Sequence, residues 1–464
     1  MCKMTQVAPA GVEWQVLNDV CEYHPEQWKP LLDECRGKID KVRRRDITLT
    51  LKTRDGKPLA NRGIRVQQVQ SAFLWGFGSW GLMNALRDGT YAREDVQRQY
   101  HYFAKFFNTV NLLHYWVEKH CDRAPVSEEF QGYPDYSNIQ QALDWAMTNG
   151  LTPKGHPIYW SIPKATPQWL YKYDYETRMK FLEVRVRTIT ARFKGKMKLY
   201  DAINEMLWEP TLRTVEQRHW PHITPTEQMC EYIELVLKWA REEDPDARYL
   251  INDYGVLVGH HEEIAVDTNE GKRITRHQQA LRYVELLQAL KARGAAPDAV
   301  GLQGFFGGWG HHDRDIATLD ALGTQTGLPV IITEFGASTQ QIKAMEKAGA
   351  KPEQISELVG QYIENVMVTC FAHQSVEGFY FWYNTDLLLN GKGYPSALYH
   401  RLYDLIHKQW RTDETLKTDA NGRVTLRGFC GDYRVRLMDT PQPYGVGFSL
   451  PEQSRGAVAF ELVV

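Results

Sequence analysis

Eight short apolar segments recur along the middle of the chain, and their spacing limits the possible folds more than any other feature. They begin at residues 73, 107, 151, 198, 249, 299, 330 and 377. Neighbouring segments start about 43 residues apart on average, which leaves room for a helix and a loop in each repeat. Eight strands alternating with helices are the pattern of a (β/α)8 barrel, or TIM barrel. The sequence therefore predicts an α/β fold with such a barrel over residues 73–408.

The alternative α/β architecture is a doubly wound parallel sheet, which uses the same alternation of strands and helices. The ends of the apolar segments argue against it. Several of them finish in polar residues, among them Asn204, Glu205, Asp253 and Glu334. In a barrel these strand ends all face one mouth, which is where the active sites of such barrels lie.

The first part of the chain predicts a helical segment followed by strands. Apolar residues within 13–45 recur at roughly helical spacing and the stretch ends in the basic run KVRRR, so residues 1–46 are expected to form an N-terminal helical segment. After it, apolar and polar residues alternate on both sides of Asp55-Gly56. Such alternation around a turn pair predicts a β-hairpin, placed within residues 47–72.

The last part of the chain resembles the strands near the beginning. Residues 409–464 alternate in the same way after Asn421-Gly422. Either end alone supplies too few strands, because an independent sheet needs roughly three or more with a buried face. The two ends, 47–72 and 409–464, are therefore expected to join into one small accessory β-sandwich beside the barrel.

Charge and cysteine content exclude several classes of protein. The chain has 55 Lys and Arg against 57 Asp and Glu, a formal net charge of −2, so it lacks the positive field that attracts nucleic acids or anionic membranes. Its seven cysteines are scattered without a CxxC pair, which argues against a disulfide framework or a zinc ribbon. The cluster at residues 260–263 (HHEE) lacks the HExxH spacing of a zinc site and is typical of a solvated turn.

The hydropathy of the chain gives an expectation for its compartment. No apolar run approaches the ~18 residues of a membrane span, and the first residues lack the apolar core of a signal peptide. The sequence as it stands predicts a cytoplasmic protein, or a secreted or periplasmic one if a leader was removed. It sets no oligomeric state.

Two carboxylates stand out because each ends an apolar strand with no charged residue beside it: Glu205 in LYDAINEM and Glu334 in VIITEFGAS. Burial leaves the pKa of such a carboxyl open to tuning. Either glutamate alone also fits a salt bridge on the barrel rim. The fourth and seventh strands lie on opposite sides of an eight-stranded barrel, so the two side chains can face each other across its mouth. A separation of about 5–5.5 Å is what retaining glycoside hydrolysis requires.

These segments resemble glycoside hydrolase family 10, the endo-β-1,4-xylanases of clan A, over about residues 73–408. Three strand-end motifs that are similar to the family's motifs carry the resemblance: residues 155–160 (GHPIYW), 200–205 (YDAINE) and 332–335 (ITEF). The resemblance implies that Glu205 is the general acid/base and that Glu334 is the nucleophile. It also implies a carbohydrate substrate and neither a metal nor an organic cofactor.

Other polar and aromatic residues are expected to contact the sugar. Asn204 can hydrogen-bond a sugar 2-hydroxyl, an interaction that strengthens in the transition state. His156 can contact hydroxyls, while Trp160 and Trp382 offer apolar platforms, although interior packing is the alternative for each. Further substrate-binding candidates are Gln303, Tyr254, Trp309, His114 and Tyr115. Asp201 is expected behind the sugar-binding residues, as a partner of one of them.

The chain departs from the family pattern where the loop after strand two binds sugar. In place of the family's Glu-Asn and Lys, the sequence has Leu113-His114 and Val117. Plain linear xylan is therefore not expected to be the best substrate. Replacement contacts are expected from the mouth residues His114, Tyr115 and Trp309.

The prediction from sequence is a retaining glycoside hydrolase that cleaves β-glycosidic bonds of a polysaccharide or oligosaccharide, in the manner of a xylanase. One alternative is another clan A β-glycosidase with exo action or a non-xylan substrate. A second is a carbohydrate-binding barrel that has lost turnover. A carbohydrate is the partner expected in each case, with neither nucleic acid nor membrane.

Overall fold

The molecule consists of a central barrel, helices around it, and two further β-sheets. The computed structural model describes residues 12–117, 127–162, 165–207, 212–213, 224–257, 263–267, 273–304, 309–439, 445–452 and 456–464. The helices are α1 (Trp14–Val20), α2 (Pro25–Arg43), α3 (Trp80–Arg87), α4 (Glu94–Phe106), α5 (Ser137–Thr148), α6 (Tyr175–Phe193), α7 (Thr226–Glu243), α8 (Arg276–Ala292), α9 (His312–Leu319), α10 (Thr339–Lys347), α11 (Pro352–Ala372) and α12 (Ala397–Asp404). The strands are β1 (Arg44–Lys52), β2 (Gly63–Ser71), β3 (Leu74–Gly78), β4 (Thr109–Leu113), β5 (Thr152–His156), β6 (Tyr159–Trp160), β7 (Leu199–Asn204), β8 (Arg248–Asp253), β9 (Glu263–Asp267), β10 (Arg273–Thr275), β11 (Ala299–Gly304), β12 (Val330–Phe335), β13 (Val376–Phe381), β14 (Asp413–Lys417), β15 (Arg423–Phe429), β16 (Gly431–Leu437), β17 (Val446–Leu450) and β18 (Val458–Val463).

Eight parallel strands form the barrel: β3, β4, β5, β7, β8, β11, β12 and β13. Each pairs in parallel with its neighbour, and a pairing between β5 and β7 closes the ring. All eight segments predicted from the sequence are barrel strands, so the predicted (β/α)8 architecture is confirmed. A closed barrel brings the carboxyl ends of all eight strands to one mouth.

The lower part of the barrel interior is packed with apolar side chains. These are Leu199, Leu250, Ala299, Ile331 and Tyr380, all nearly or fully buried. The Tyr380 ring fills the space that a side chain on β3 would need, since a Cβ at Gly76 would lie 2.2 Å from its Cδ1 atom. The interior is therefore a closed floor beneath the mouth, and it is not a pore.

Helices cover the outer faces of the barrel strands, as α6 illustrates. Its first turn is capped by the Asp174 side chain, which accepts a hydrogen bond from the Thr177 N–H at 2.8 Å. One face then buries apolar residues at helical spacing, namely Leu182, Val186, Ile189 and Phe193. Within the described ranges, none of the helices combines the length and the apolar character needed to cross a bilayer.

The N-terminal residues form two helices, although the sequence pattern predicts helix throughout 13–45. The break lies between α1 and α2, where Glu22 adopts a left-handed conformation with φ of 54°. Pro25 then occupies the first turn of α2, a position where the missing N–H of proline costs nothing. Local backbone chemistry thus interrupts a periodic pattern of apolar residues.

Two sheets built from both ends of the chain face each other beside the barrel. One has the order β15-β1-β18 and the other β14-β2-β16-β17. Apolar side chains from both sheets form a second core, separate from that of the barrel; they include Leu49, Leu51, Ile64, Val66, Val435, Leu450 and Leu462. The additional β-structure expected from the two termini is therefore present.

The predicted hairpin around Asp55-Gly56 is present only as a short antiparallel bridge between Lys52 and Pro58, with the Leu59 N–H bonded to the Leu51 carbonyl at 2.9 Å, and it does not extend into β2. The chain does turn there, with Gly56 at φ of 84° and the Thr53 N–H bonded to the Lys57 carbonyl. However, β1 and β2 belong to opposite sheets, so they contact each other through side chains in the second core. The same holds for β14 and β15 around Asn421-Gly422. Each strand finds its hydrogen-bonding partner at the other end of the chain.

Candidate active site

Glu205 and Glu334 lie at the carboxyl ends of barrel strands on the same mouth. Glu205 directly follows β7, and its Oε1 accepts a hydrogen bond of 2.9 Å from Nε2 of Gln303 on β11. Glu334 lies within β12, is 4% exposed, and its Oε1 accepts a bond of 2.9 Å from Nδ2 of Asn252 on β8. Each carboxylate is thus oriented by an amide side chain from the next strand but one in the barrel.

Asn252 connects the surroundings of the two glutamates. The same Nδ2 that donates to Glu334 also donates to Oδ1 of Asn204 at 2.8 Å, and Asn204 precedes Glu205 in the chain. Its Oδ1 accepts a hydrogen bond from the Thr333 hydroxyl, which fixes which end of the amide faces the carboxylate. One buried side chain therefore couples the ends of β7 and β12.

A buried layer of charged side chains lies below Glu334. Lys154 on β5 forms an ion pair with Asp201 on β7, and both are fully buried. Nδ1 of His156 lies 2.6 Å from Oδ2 of the same Asp201, and its Nε2 lies 3.8 Å from Oε1 of Glu334. The predicted partner role of Asp201 thus has a definite geometry: it contacts a lysine and a histidine at once.

Burial and pairing set the protonation of this layer. Burial lowers the pKa of His156 below its usual range, so the imidazole is neutral at pH 7. Burial alone would raise the pKa of Asp201, but the charge of Lys154 and the hydrogen bond with His156 bring it below its usual value. An ionised Asp201 accepts a hydrogen bond from Nδ1–H of His156. The other ring nitrogen, Nε2, is then unprotonated and faces the mouth as an acceptor.

Glu334 binds a proton more tightly than a free carboxyl does. Burial raises the pKa of Glu334 well above its ordinary value, and the negative charges of Glu205 and Asp201 raise it further. Lys154 and the hydrogen bond from Asn252 act in the opposite direction. A pair of carboxyls in this arrangement favours one protonated and one ionised member near neutral pH.

Aromatic rings surround His156 on the mouth side. The ring of Trp382 lies 5.1 Å from the His156 ring, and that of Tyr115 lies 5.7 Å from it. Trp160 packs 5.6 Å from Tyr115, and Trp80 meets Trp382 edge to face at 5.2 Å. The mouth therefore has apolar walls of the kind on which sugar rings pack.

Two predicted substrate contacts lie elsewhere. Trp309 is 0% exposed and stacks on Tyr362 at 5.0 Å, so it belongs to the core beneath the N-terminal helices. His114 is 2% exposed and packs 6.2 Å from the Tyr200 ring on the outer side of the barrel wall. Burial lowers its pKa to about 3, as expected for an imidazole among apolar groups. The structure contradicts both predictions, because these rings face the helices and do not face the mouth.

The remaining predicted residues have these positions. Asn204 is 1% exposed at the end of β7, and Gln303 contacts Glu205 as described. Tyr254 is buried and follows Asn252 and Asp253, the last two residues of β8. Its contact with sugar stays a prediction. The HHEE cluster at 260–263 lies outside the residues whose side chains the structure describes.

Three residues of the site are absent from the sequence-based predictions: Lys154, Asn111 and Trp80. Lys154 carried a signal, because a lysine inside a short barrel strand is buried and needs a partner. Asn111 alternates in step with Tyr115 along β4 and its continuation, and its Oδ1 accepts from Lys154 at 3.2 Å. Trp80 lies in the first turn of α3, where the sequence shows nothing that distinguishes it from a packing residue.

Comparison with known proteins identifies the family. Residues 122–388 match the family model of glycosyl hydrolase family 10. The anti-sigma-I factor RsgI6 of Acetivibrio thermocellus is 24% identical over 429 residues, which are 89% of this chain and 47% of that protein. Endo-1,4-beta-xylanase 1 of Arabidopsis thaliana is 24% identical over 425 residues, which are 87% of this chain and 38% of that protein. The chain thus spans less than half the length of these two relatives.

Solved structures of xylanases share the fold. Xylanase 10B of Thermotoga petrophila in complex with xylobiose aligns with a TM-score of 0.52 at 19% identity, covering 73% of this chain and 95% of that chain. Native xylanase 10B of Thermotoga maritima gives the same TM-score and identity, covering 73% and 96%. Because the family model matches more than half of the sequence and the barrel carries the two strand-end glutamates at one mouth, the chain belongs to glycosyl hydrolase family 10.

Proposed function

We propose that the protein is a retaining glycoside hydrolase that cleaves β-glycosidic bonds of a xylan-type polysaccharide or its oligosaccharides by double displacement. The observation that carries the proposal is the placement of Glu205 and Glu334 at the ends of β7 and β12, with Asn252 bonded both to Glu334 and to the residue before Glu205. Two carboxyls facing one sugar bond, one protonated and one ionised, are what the double-displacement reaction needs.

In the first step, Glu334 attacks the anomeric carbon and Glu205 donates its proton to the leaving oxygen. The glycosidic C–O bond breaks and an ester bond forms between the sugar and Glu334. The repulsion between the two carboxyls favours a single shared proton, and the reaction requires that proton on Glu205. The hydrogen bond from Asn252 and the nearby charge of Lys154 oppose the rise in the pKa of Glu334 that burial and the neighbouring carboxylates cause, and so act toward the ionised form that attack requires.

In the second step, Glu205 takes a proton from water, and the resulting hydroxide attacks the anomeric carbon of the glycosyl-enzyme. The ester bond to Glu334 breaks, and the product leaves with the configuration of the substrate. Glu205 thereby regains its proton and Glu334 its charge. The acid and the base of the two steps are the same group.

The neighbouring residues hold the sugar. Because Oδ1 of Asn204 accepts from Asn252, its amide nitrogen is the group that can donate to a sugar 2-hydroxyl. Nε2 of His156 accepts from a second hydroxyl, while Trp382 and Trp160 pack on the faces of the rings.

The wall beside β4 favours a variant of this function, with exo action or a substrate other than plain xylan. Leu113 and Val117 are buried and apolar, and His114 faces away from the mouth, so Tyr115 forms this wall. An aromatic wall recognises a sugar by its face more than by its hydroxyl groups. Substituted or differently linked chains then become better substrates than linear xylan.

Hydrolysis of a substrate panel tests the proposal. Xylan, arabinoxylan, mannan and β-glucan are incubated with the protein, products are identified, and the anomer released first from an aryl β-glycoside is read by NMR. We expect the β-anomer. Glu334→Ala should be inactive on every substrate and should give the α-glycosyl azide when azide is added. A protein that binds these glycans but hydrolyses none of them, aryl glycosides included, would instead be a carbohydrate-binding barrel.

Glu377→Gln is a matched control. Glu377 is also a glutamate on a barrel strand, but it lies near the start of β13 and pairs with Arg248 at 2.8 Å. It is therefore at the end of the barrel opposite the mouth. Its substitution should leave the rate and the anomer unchanged. An equal loss in Glu377→Gln and Glu334→Ala would contradict the assignment of Glu334.

A further inference from the structure

The backbone at Glu205 is held in a conformation that its residue type disfavours. Its φ is 54°, in the left-handed region, where a residue with a Cβ costs about 1 kcal/mol or more. The Glu205 N–H donates to the Asn252 carbonyl at 2.8 Å, which continues the pairing of β7 with β8 by one residue. A strained turn of this kind persists only where the surroundings fix it from several sides.

Two residues further on, the N–H and the carbonyl of Leu207 are each hydrogen-bonded to an ionisable side chain. The Leu207 N–H donates to Oδ2 of Asp253 at 2.9 Å. The Leu207 carbonyl accepts from Nε of Arg282 on α8, also at 2.9 Å. Leu207 itself is 0% exposed, so its side chain anchors the turn in the core. The segment from 205 to 207 is therefore fixed at its beginning by β8 and at its end by Asp253 and Arg282.

Asp253 is itself rigidly placed on the outer side of the barrel wall. It follows Asn252, which faces the interior, so the alternation of β8 turns Asp253 toward α8. Its Oδ1 accepts from the Tyr254 N–H at 2.9 Å and from Nε2 of Gln279 on α8 at 3.2 Å. Both carboxyl oxygens thus have defined donors, and the carboxyl cannot rotate without losing them.

We propose that Asp253 and Arg282 are positioning residues for Glu205, which hold the turn after β7 so that the Glu205 carboxyl points into the mouth. Neither side chain needs to touch the substrate. Both act through the backbone of Leu207. The proposal rests on the proposed function, in which Glu205 is the acid and then the base of the reaction.

The position of Asp253 costs stability, which favours a functional reason for it. Burial, together with the negative charge of Glu205, raises the pKa of Asp253 to about 8. Arg282 and Tyr283 of α8 are the other titratable groups that face it. A carboxyl held where its ionised form is disfavoured lowers the stability of the fold near neutral pH. Such a cost is common at sites where geometry serves the reaction.

Two substrates that differ in their need for an acid test the proposal. Xylotetraose has a poor leaving group and depends on the proton from Glu205, whereas dinitrophenyl β-xylobioside does not need an acid in its first step. In Asp253→Asn an NH2 group replaces one of the two acceptor oxygens. We expect kcat/KM on xylotetraose to fall about 10- to 100-fold, because a displacement near 1 Å has effects of this size. The value on the aryl glycoside should change less than about threefold.

Arg282→Met provides a second variant that leaves the Asp253 carboxyl in place. It removes the donor to the Leu207 carbonyl and should give the same selective loss on xylotetraose. Arg282→Lys retains a cation that can reach the same carbonyl and should restore part of the lost rate. The Arg282 guanidinium also bonds the Thr224 carbonyl, so thermal stability is measured for each variant alongside the two rates.

Asp315→Asn is the matched control. Asp315 on α9 is also a buried carboxyl, burial raises its pKa to about 7, and it pairs at 3.5 Å with Arg276 of α8, the helix that carries Arg282. It bonds no backbone group of residues 205–207, the part of the turn after β7 that the structure describes. Its substitution should change stability and leave the ratio of the two rates unchanged.

The outcomes separate the two proposals. If Glu205→Gln shows the selective loss while Asp253→Asn and Arg282→Met lower both rates equally or lower neither, the positioning role is refuted and the acid role stands. If Glu205→Gln loses both rates equally, the proposed function fails, and the positioning role that rests on it is overturned as well.

Discussion

At the scale of single residues, the site depends on charges that are buried in pairs. Lys154 and Asp201 lie fully buried beneath Glu334, and His156 joins them through Asp201. Taking such charges out of water is costly, and only their mutual attraction and their hydrogen bonds repay it. The arrangement fixes the tautomer of His156 and supplies a positive charge near Glu334. Removal of either partner therefore affects both the fold and the chemistry.

Lys154→Met should lower the free energy of unfolding by about 3–5 kcal/mol, because it leaves the Asp201 charge buried without its cation. Urea denaturation monitored by tryptophan fluorescence measures the loss. Lys38→Met is the matched control, since Lys38 pairs with Glu34 on the exposed face of α2 and should cost at most about 0.5 kcal/mol.

The double variant Lys154→Met with Asp201→Asn completes the test. Removal of both charges should recover part of the loss, because no uncompensated charge stays in the barrel. If the two single losses simply add, the ion pair does not couple the residues and the argument for the buried layer is refuted.

His407 gives a prediction for the pH dependence of stability. Burial lowers its pKa to about 4 from an ordinary value of 6.5, although its Nε2 donates to the Phe106 carbonyl at 2.8 Å. Between these two values only the unfolded chain binds a proton at this site. Its contribution to stability is therefore complete above about pH 6.5 and is lost as the pH falls toward 4, with a slope of about 1.4 kcal/mol per pH unit.

His407→Gln isolates this contribution. Glutamine can still donate to the Phe106 carbonyl but does not titrate. The free energy of unfolding of the wild type minus that of the variant should decrease as the pH falls from about 6.5 to about 4.5. A constant difference over this interval would contradict a depressed pKa for His407.

At the scale of elements, the local sequence was sufficient to predict strand pairing in the barrel, where a repeated unit sets the partner of each strand. It was insufficient in the accessory sheets, where the partner strand lies far away in the chain. The eight barrel strands follow from their spacing, since each pairs with its neighbours in chain order, apart from the pairing of the first strand, β3, with the last, β13. The strands around Asp55-Gly56 and Asn421-Gly422 pair with the opposite end of the chain, which no local pattern can show. The alternation of apolar and polar residues predicts that these strands exist. Which of the two sheets each strand joins depends on the packing of its apolar side chains in the second core.

Alternation along a strand explains which site residues could be predicted. Asn111 faces the barrel interior, so Tyr115 faces the mouth and His114 faces the helices. Counting from an inward residue therefore corrects the prediction for His114. Trp309 lies after the end of β11 and before α9, where alternation does not apply, and only the packed structure shows that it contacts Tyr362.

The barrel floor gives a prediction for β3. Gly76→Ala places a methyl group within the Tyr380 ring, whose hydroxyl is held by Thr109 at 2.9 Å. The ring cannot move without losing this hydrogen bond and its contact with Lys154, so the variant should be about 1–3 kcal/mol less stable. Gly37→Ala is the control, because a Cβ at Gly37 on α2 meets nothing within 4 Å and should stabilise the helix by about 0.5–1 kcal/mol.

Thermal unfolding of the two glycine variants checks the prediction. The midpoint should fall for Gly76→Ala and rise slightly for Gly37→Ala. If Gly76→Ala is as stable as the wild type, the Tyr380 ring does not pack tightly enough against Gly76 to exclude a methyl group, and the prediction is wrong.

At the scale of the whole molecule, one buried arginine connects the barrel to the β-sheets beside it. Arg43, the last residue of α2, is 1% exposed. Its guanidinium donates to the carbonyls of Phe371, His373 and Val376 at 2.7, 2.8 and 2.7 Å, where α11 ends and β13 begins. A further nitrogen forms an ion pair with Glu452, which lies between the accessory strands β17 and β18. Cations are favoured at the C-terminus of a helix, where the last carbonyls have no partner within the helix.

Arg43→Met should therefore weaken the connection between the two cores as well as the total stability. The loss of the cation removes a donor from three carbonyls, of which that of His373 keeps the Val376 N–H, and leaves Glu452 without its cation, which should cost about 3–5 kcal/mol. Arg43→Lys should recover little of it, because one ammonium group cannot reach four acceptors. Arg62→Met is the control, since Arg62 pairs with Asp439 on the surface of the accessory sheets and its side chain bonds none of the barrel residues that the structure describes.

Differential scanning calorimetry with limited proteolysis separates the two effects. If Arg43 couples the cores, the wild type and Arg62→Met unfold in one transition. In Arg43→Met the accessory sheets should then melt first, so a second transition appears and protease cuts within residues 413–464 before it cuts the barrel. The barrel core is much the larger of the two, and it keeps its own closed sheet when the other is lost. A single transition at the wild-type temperature in Arg43→Met would show that the cores are joined by their apolar contacts and do not depend on this cation.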